Sequence, residues 1–508
     1  MTIYPPGGTH DLSDLLADFG RWISEYWRSL PARPVLSQVG PGDVLGRLPA
    51  HPPEQPGGAS LWEEIRADLD SIVVPGLTHW QHPGFYAYFP ANISVPAIVG
   101  DLVSAGLGVQ GMLWLTSPAC TELETRVLDW LRELLGLPEC FDSRPEVSGG
   151  PPGGGWGGGV IQGTASEATL SAMVAGRDRA RRDRQRAGVV GRPEFVVYAS
   201  SQAHSSIAKA AMIAGIADHA NDDRHVRLVE VDRELAMNPA ALGEAMRQDV
   251  EAGLTPCFVC ANVGTTATTA MDRIDLIADQ VERLPTGAPK PWVHVDAAHA
   301  GAAAVCPEYR GMLRGAERAD SFCFNPHKWL LTNFDCDCFF VRDRRPLIES
   351  LSVTPSYLRN QASESGAVID YRDWQIPLGR RFRALKLWFV IRAFGAAGLR
   401  DHIRRTIGLA SRFEEHMRAD ARFEVVTPRT LNLVCFRIRG ASDEVQRQVM
   451  DGINRGGAAF LTHAVVPLGE DRRPSCVLRV AVGSPLTQAP DIDRLWEMIS
   501  TRADEVLG

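Results

Sequence analysis

One lysine stands where an apolar strand would end. Ser321–Phe324 carries bulky apolar side chains, Asn325-Pro326 stops regular structure, and Lys328 follows directly before Trp329. If its stem enters the fold, the pKa of the lysine falls because desolvation disfavours the ammonium, and the neutral amine can form a Schiff base with an aldehyde. The same lysine could instead keep its charge in water beside the strand end. This run alone leaves both interpretations open.

A second pattern favours anion binding. Val160–Gln162 is typical of a short strand, and Gly163-Thr164-Ala165-Ser166-Glu167 then opens a helix that is predicted to reach about residue 187. Free N–H groups, hydroxyls and the helix dipole meet at such a helix start. Thr164 or Ser166 could equally serve as a simple N-cap. The pattern matches neither GxxxxGK[ST] nor GxGxxG, so a nucleoside-triphosphate or dinucleotide site is not predicted.

Strands and helices alternate between residues 195 and 342, and polar residues follow several of the strands. The alternation predicts a mostly parallel sheet, which binds ligands at the carboxyl ends of its strands. The polar residues expected at those ends are His204, Thr265, Thr266 and Asp296. An aldehyde cofactor with a phosphate and a pyridine ring needs an anion site, a lysine and a carboxylate beside the ring nitrogen. Taken singly, Asp296 could cap a turn and His204 could cap its helix.

The length of 508 residues predicts two or three domains. Residues 1–95 are expected to form an N-terminal arm, because helices at 11–30 and 60–74 flank a proline-rich segment and have no core of their own. Residues 96–372 are predicted to form a large α/β domain. Residues 373–508 are predicted to form a smaller α+β domain. Its expected elements are a helix at about 379–409, strands near 422–439 and 475–482, and helices at 442–454 and 489–506.

Aromatic residues are concentrated between residues 80 and 90. Trp80, Tyr88, Phe89 and Pro90 lie in this segment, which is typical of a pocket for a flat ligand. Ordinary core packing is the alternative.

Composition excludes several classes of partner. The chain is 45% hydrophobic and 22% charged, with a net charge of −8, so neither a nucleic-acid nor a membrane partner is expected. Cys257 and Cys260 have the CxxC spacing but lie inside an apolar run, which favours core positions over a metal site. Reduced, buried cysteines and the lack of a signal-peptide pattern at the N-terminus favour a cytoplasmic protein.

Together these motifs resemble the pyridoxal-phosphate-dependent decarboxylases of group II, specifically the aromatic-L-amino-acid decarboxylases. The matching segments cover most of residues 70–400 in the order of that family. They are Ser117-Pro-Ala-Cys-Thr-Glu-Leu-Glu, Gly163-Thr-Ala-Ser-Glu-Ala-Thr-Leu, Gln202-Ala-His-Ser-Ser, Gly264-Thr-Thr, His294-Val-Asp-Ala-Ala, Asn325-Pro-His-Lys-Trp and Asp370-Tyr-Arg-Asp-Trp-Gln-Ile-Pro-Leu-Gly-Arg-Arg-Phe-Arg. The resemblance implies fold type I of the PLP-dependent transferases, with a seven-stranded type of sheet. It also implies a homodimer whose N-terminal arm wraps its partner.

The resemblance assigns roles to individual residues. Lys328 matches the lysine that bonds the cofactor, pyridoxal 5′-phosphate, and Asp296 matches the partner of its ring nitrogen. His204 matches the histidine stacked on the ring, and Tyr357 matches a mobile-loop tyrosine that helps to protonate the substrate carbanion. The remaining cofactor positions implied are Thr164, Ala165, Ser166, Thr265, Thr266, Ala298, Asn325 and His327.

The implied reaction is decarboxylation of an aromatic L-amino acid to its amine and CO₂. Trp80, Tyr88, Phe89 and Pro90 resemble the substrate pocket, to which the resemblance adds Gln110, Met112 and Gly379. Relatives carry Ile and Phe where Gln110 and Met112 stand, and a Tyr where His299 stands. In some plant relatives a glycine at position 379 goes with indolic substrates, so tryptophan is slightly favoured over tyrosine, phenylalanine, dopa or 5-hydroxytryptophan.

Two other functions are considered. An aldehyde synthase uses the same scaffold, but in those relatives the loop tyrosine is Phe, and Tyr357 favours plain decarboxylation. A catalytically silent, cofactor-binding scaffold is disfavoured because the matched set of lysine, aspartate, histidine and tyrosine is complete.

Overall fold

The computed structural model describes residues 11–55, 57–144, 156–353 and 368–507. At the N-terminal end, helices α1 (Leu12–Ser29) and α2 (Leu61–Asp68) flank extended chain. The Tyr26 hydroxyl lies 2.8 Å from His79 Nδ1, so α1 packs on the segment that leads into the main body. Both predicted helices of the arm are therefore present, α2 being continued by a π-turn to Val73.

The main body is built on a seven-stranded sheet. Its order is β1-β7-β6-β5-β4-β2-β3. Four of the neighbouring pairs are parallel, and both pairs that involve β7 are antiparallel. The strands are β1 Gly158–Gln162, β2 Phe195–Ser200, β3 Val226–Val229, β4 Thr255–Asn262, β5 Trp292–Asp296, β6 Ser321–Phe324 and β7 Asp337–Val341. The central strands are buried along their whole length, as their continuous apolar sequences require.

Helices cover both faces of this sheet. They are α3 Val95–Leu107, α4 Pro118–Leu135, α5 Ala165–Arg186, α6 Ser206–Ile213, α7 Pro239–Glu251, α8 Ile274–Glu282, α9 Pro326–Trp329 and α10 Arg345–Leu351. Side chains of α4, α7 and α8 form one core with the sheet, and those of α5 and α6 form a second core on the opposite face. Ser117 caps α4 by accepting a hydrogen bond from the Cys120 N–H, as the Ser-Pro start predicts.

The C-terminal part contains a separate four-stranded antiparallel sheet of order β10-β11-β9-β8. Its strands are β8 Phe423–Val425, β9 Leu433–Ile438, β10 Thr462–Leu468 and β11 Arg473–Ala481. Helices α11 (Arg383–Ala419), α12 (Asp443–Arg455) and α13 (Ala489–Leu507) pack on it. Helix α11 is interrupted at Gly395, whose φ is 61° and ψ is 179°.

The architecture confirms a mostly parallel α/β sheet followed by an α+β unit. Cys257 and Cys260 are fully buried in β4, which confirms their core positions. Across the described ranges, every helix is too short or too polar to cross a membrane. Nor does any cluster of His, Cys, Asp and Glu side chains within those ranges have the arrangement of a metal site.

Candidate active site

Lys328 lies at a cavity at the carboxyl ends of the parallel strands. Its helix α9 follows β6 at once, and its N–H donates to the Asn325 carbonyl at 2.9 Å. The cavity has a volume of about 250 Å³. Burial lowers the pKa of Lys328, while the negative charge of Asp296 opposes that shift. The environment of Lys328 therefore favours the neutral form of its amine.

All of the predicted cofactor residues line this one cavity. The predicted residues on its wall are Thr164, Ala165, Ser166, His204, Thr265, Thr266, Asp296, Ala298, Asn325, His327, Lys328 and Phe89. They come from separate strand ends and helix starts, which the parallel sheet brings to the same edge.

The predicted anion site lies where β1 passes into α5. The N–H of Ala165 donates to Asn325 Oδ1 at 3.1 Å, which ties the start of α5 to the residue before α9. Thr164 is the N-cap residue of α5, yet its side chain makes no capping hydrogen bond. Its hydroxyl therefore stays available at the positive end of a 22-residue helix, together with Ser166.

Asp296 ends β5 in register with Asn262 on one side and Cys323 on the other. Its Oδ1 accepts a hydrogen bond from the Ala298 N–H at 3.0 Å, so the aspartate does cap a turn. Because it also lines the cavity, the two roles considered from the sequence are compatible. A carboxylate beside the small Ala298 side chain suits a flat ring that carries a protonated nitrogen.

His204 lies at the exposed mouth of the cavity. Its Nδ1 accepts a hydrogen bond from the Ser206 N–H at 3.2 Å, so in the neutral ring the proton is on Nε2. Desolvation lowers the pKa of this histidine, Asp296 raises it and Lys328 lowers it. The ring is thus held by the start of α6 and can still donate from Nε2.

The two threonines after β4 differ in their surroundings. Thr265 is buried, and its hydroxyl accepts a hydrogen bond from the Ala270 N–H at 3.1 Å. Thr266 is exposed, and its carbonyl accepts from the Arg479 guanidinium at 2.7 Å. The Thr265 side chain is therefore already engaged within its own loop.

His327 is held by backbone contacts. Its Nδ1 lies 2.8 Å from the Cys336 carbonyl and 3.0 Å from the Cys336 N–H, and burial lowers the pKa of its imidazole to about 4. It is therefore neutral at physiological pH. Its carbonyl accepts from the Asn92 N–H at 2.7 Å, which anchors the loop that follows the aromatic segment.

The predicted substrate residues lie in three places. Phe89 lines the cavity, with its ring centroid 5.8 Å from Lys328 Nζ. Trp80 and Tyr88 stack on each other at 5.8 Å and are exposed outside the cavity wall. Pro90 is buried and packs where a side chain on Gly483 would lie.

Gln110, Met112 and Gly379 form a group of their own away from the cavity wall. Gln110 Oε1 accepts from the N–H of Met112 at 2.9 Å and from the N–H of Arg380 at 3.3 Å. The chain as described does not bring this group to Lys328. Tyr357 lies outside the described residues.

Several residues of the cavity wall were not predicted as site residues. They are Ser206, Asn262, Gly264, His299 and Phe334. His299 stacks on Phe89 with ring centroids 3.8 Å apart, and Nε2 lies 2.8 Å from Asn432 Oδ1. Asn262 and Gly264 could have been found because they lie at the carboxyl end of β4, whereas Phe334 follows no strand and gives no such signal.

Comparisons with known proteins agree with this geometry. The family model described as the pyridoxal-dependent decarboxylase conserved domain matches residues 41–439. Tryptophan decarboxylase 2 of Oryza sativa subsp. japonica is 44% identical over 493 residues, which cover 96% of this chain and 93% of the relative. Phenylacetaldehyde synthase of Arabidopsis thaliana is 43% identical over 499 residues, with 97% and 95% covered.

A solved structure is similar over almost the whole chain. The crystal structure of Oryza sativa TDC with PLP and tryptamine has a TM-score of 0.90 and 42% identity, and covers 99% of this chain and 100% of its own. This likeness confirms the predicted fold type I of PLP-dependent enzymes. The chain therefore belongs to the pyridoxal-dependent decarboxylase family, and it is an enzyme whose cofactor is pyridoxal 5′-phosphate.

Proposed function

We propose that this enzyme decarboxylates an aromatic L-amino acid to the corresponding amine and CO₂, with tryptophan slightly favoured. Tyrosine, phenylalanine, dopa and 5-hydroxytryptophan are the other candidates. The observation that carries the proposal is the meeting of Lys328, Asp296 and the anion site in one cavity. The aromatic class is supported by the relatives, one of which is named a tryptophan decarboxylase and another a phenylacetaldehyde synthase.

The cavity residues fit pyridoxal 5′-phosphate. Thr164, Ala165 and Ser166 would hold the phosphate at the start of α5, and Ala298 leaves room for the ring. When bound, the cofactor supplies an aldehyde that joins an amine and a pyridine ring that accepts the electron pair left by CO₂. Asp296 would hold a proton on the ring nitrogen, which increases that electron demand.

Lys328 and His204 would handle the substrate and its proton. Lys328 would bind the aldehyde carbon until the substrate amine takes its place, a role that the lowered pKa of its amine favours. His204 presents Nε2–H at the mouth of the cavity, from which it can orient the carboxylate or return a proton to the α-carbon. Tyr357 shares in that protonation in the proposed mechanism.

Replacing Tyr357 with phenylalanine is expected to move product formation from the amine towards the aldehyde. The reason is that loss of the phenol slows protonation of the α-carbon, so that oxidation by O₂ competes. Amine, aldehyde, ammonia and hydrogen peroxide would be quantified from the same reaction. Tyr309→Phe, a partly buried tyrosine outside the cavity wall, is the matched control. An amine-only product from Tyr357→Phe would contradict the role of this tyrosine.

Aldehyde synthesis is the second candidate function, because a phenylacetaldehyde synthase is 43% identical to this chain. The same four-product measurement on the unaltered enzyme separates the two functions. A decarboxylase gives the amine and CO₂. The aldehyde synthase consumes O₂ and water and gives the aldehyde, CO₂, ammonia and hydrogen peroxide in place of the amine. An enzyme that holds the cofactor but converts no amino acid would be the silent scaffold.

Replacing Gly379 with serine is expected to shift preference from tryptophan towards tyrosine by roughly tenfold in the ratio of kcat/KM values. A Cβ at this position would lie 3.5 Å from Gln110 Nε2, an ordinary contact, so the fold should tolerate the change. Gly398→Ser, on α11 and away from the cavity wall, is the control. An unchanged ratio in Gly379→Ser would remove this position from the substrate pocket.

We further propose a cytoplasmic homodimer in which the partner completes the pocket. Large apolar side chains are exposed on α3, at Val95 and Leu107, and near the cavity at Tyr88 and Phe334. A second copy would cover such a surface. In this proposal residues 1–95 form the arm that binds the partner, 96–372 the cofactor domain and 373–508 the small domain. Sedimentation velocity of the holoenzyme would test the dimer.

The most direct test of the proposed reaction is a product assay over the twenty amino acids, dopa and 5-hydroxytryptophan. We expect amine and CO₂ from one or more aromatic substrates and at least about a hundredfold lower rate with glutamate. Preference for an acidic or aliphatic substrate would overturn the aromatic assignment while leaving the family and cofactor intact.

A further inference from the structure

Asp337 is a buried acid that the mechanism above does not use. It is the first residue of β7, its side chain is fully buried, and both of its carboxyl oxygens lack a hydrogen-bond partner among the described residues. An ionised carboxylate in such a place would be costly. Its position and its protonation state therefore need an explanation.

The sheet register places Asp337 at the edge where the cofactor site lies. It is the direct antiparallel partner of Gln162, the last residue before the anion site. On its other side β7 pairs with β6 through Cys338 and Phe324, so Asp337 is level with Asn325. Asp337 therefore lies between the two chain segments whose residues would hold the phosphate.

Strand alternation also fixes the face of the sheet to which Asp337 belongs. Phe339, two residues further along β7, packs in the core beneath α5, and so does Val160, two residues before Gln162. Asp337 and Gln162 therefore project towards α5, the helix whose first turn forms the anion site. Direct antiparallel partners have Cβ atoms about 4.5–5.5 Å apart, which puts the two polar side chains within reach of each other.

The hydrogen bonds of Gln162 leave its side-chain oxygen without a donor among the described residues. Its Nε2 donates to the Trp374 carbonyl at 3.1 Å and to Ser171 Oγ at 3.4 Å, which fixes the orientation of the amide. Its Oε1 is buried and has no donor among the described residues. A carboxylate has only acceptors and would repel this oxygen, whereas a carboxylic acid can donate to it.

The charges around Asp337 also favour the neutral carboxylic acid. Burial raises the pKa of its carboxyl well above the ordinary range. The Asp296 and Glu167 carboxylates act in the same direction, and Lys328 opposes them. Cys323 on β6 lies on the same face, and burial raises the pKa of its thiol. Cys338, the next residue of β7, lies on the opposite face, and burial raises the pKa of its thiol as well. His327 is neutral. No carboxylate oxygen of Asp337 forms an ion pair with any described cation.

We propose that Asp337 is a positioning residue that supports the phosphate end of the cofactor site as a neutral carboxylic acid, with its proton donated to Gln162 Oε1. An ionised Asp337 behind the anion site would weaken the binding of a phosphate dianion, because the two negative charges repel each other. The neutral acid instead connects β7 to β1 without adding charge. This inference depends on the cofactor and not on the choice of amino acid, so it and the product assay can fail separately.

The pH dependence of stability has opposite signs for the two states of Asp337. If the folded protein keeps the proton, the pKa is raised on folding. The acid then costs nothing below the unfolded pKa of about 4 and increasingly destabilises the protein as pH rises towards the folded pKa. Asp337→Asn, a neutral isostere, lacks this penalty. If the folded protein instead holds a carboxylate paired with Lys328, the pKa is lowered on folding. The variant is then less stable by an amount that stays constant between pH 5 and pH 8.

The experiment is denaturant unfolding of the holoenzyme and of Asp337→Asn, both saturated with pyridoxal 5′-phosphate, between pH 5 and pH 8. We expect the ratio of the variant's folding equilibrium constant to that of the natural chain to rise by up to about tenfold per pH unit. A flat or falling ratio would overturn the proposal. Asp337→Ser, equally unable to ionise, must show the same sign and replaces Asp337→Asn if the latter fails to fold.

Cofactor affinity gives a second, independent readout. At pH 7 we expect Asp337→Asn to bind pyridoxal 5′-phosphate within threefold of the natural chain, measured by equilibrium dialysis. Binding weaker by more than threefold would show that a carboxylate is needed and would refute the neutral acid. Pyridoxal, which lacks the phosphate, serves as the control ligand, since its affinity should be equally unaffected.

Discussion

Replacing Lys328 with alanine is expected to abolish the visible absorption band of covalently held cofactor and to lower turnover by at least about a thousandfold. The chain has four lysines, and Lys328 is the one on the cavity wall. Its buried stem and lowered pKa make its amine the group able to bond the aldehyde. Absorption spectra, with product formation from the preferred aromatic substrate, would measure the effect.

Lys209→Ala is the matched control for this prediction. Lys209 is exposed on α6, the helix whose first residue donates its N–H to the His204 ring, but it does not line the cavity. We expect this variant to keep its absorption band and to retain turnover within about twofold. Full activity in Lys328→Ala would refute the assignment of the covalent residue, and a lost band in Lys209→Ala would locate the bond elsewhere.

The central part of the site could be predicted because each of its polar residues follows a local signal. Asp296 ends an apolar strand, the anion site stands between a strand and a helix, and Lys328 follows Asn-Pro at a strand end. In a parallel sheet such residues share one edge by topology, so their meeting follows from the alternation of elements. The alternatives of turn and helix capping are confirmed for Asp296 and His204, and both residues also line the cavity.

Contacts between distant segments carried no such signal. The pairing of Asp337 with Gln162 depends on the register of β7, and the stack of Phe89 on His299 joins residues 210 positions apart. Nothing local in the sequence specifies either contact. The position of Gln110 beside Gly379 is of the same kind.

Two elements of the C-terminal part differ from the prediction for identifiable reasons. Strand β10 was missed because Thr462–Leu468 is only partly buried and contains Pro467, which an edge strand tolerates. Helix α11 was expected to end near residue 409 but continues to Ala419. Buried side chains at Phe413 and Met417 extend its apolar face, and tertiary packing of that face outweighs the weak helix propensity of its glycines.

Replacing Asp296 with asparagine is expected to lower kcat by about three orders of magnitude while the cofactor still binds through Lys328. The carboxylate is the acid on the cavity wall at the end of β5, and an amide cannot hold a full positive charge on the ring nitrogen. Without that charge the ring accepts the electron pair of the departing carboxyl group poorly. Because Oδ1 accepts the Ala298 N–H bond, which an amide oxygen can replace, the turn itself should survive.

Asp272→Asn is the control that distinguishes the specific role of Asp296 beside the ring nitrogen from the general effect of removing a buried carboxylate. Asp272 is fully buried near the end of β4 and accepts from the N–H groups of Asn262 and Met237, but it does not line the cavity. Its variant should lower the midpoint of unfolding and leave kcat of the folded enzyme within about twofold. Asp296→Asn should do the reverse, with a normal unfolding midpoint and a cofactor absorption band altered in its pH dependence. Equal kcat values in the two variants would exclude Asp296 as the partner of the ring nitrogen, because a general effect of buried charge would then explain both.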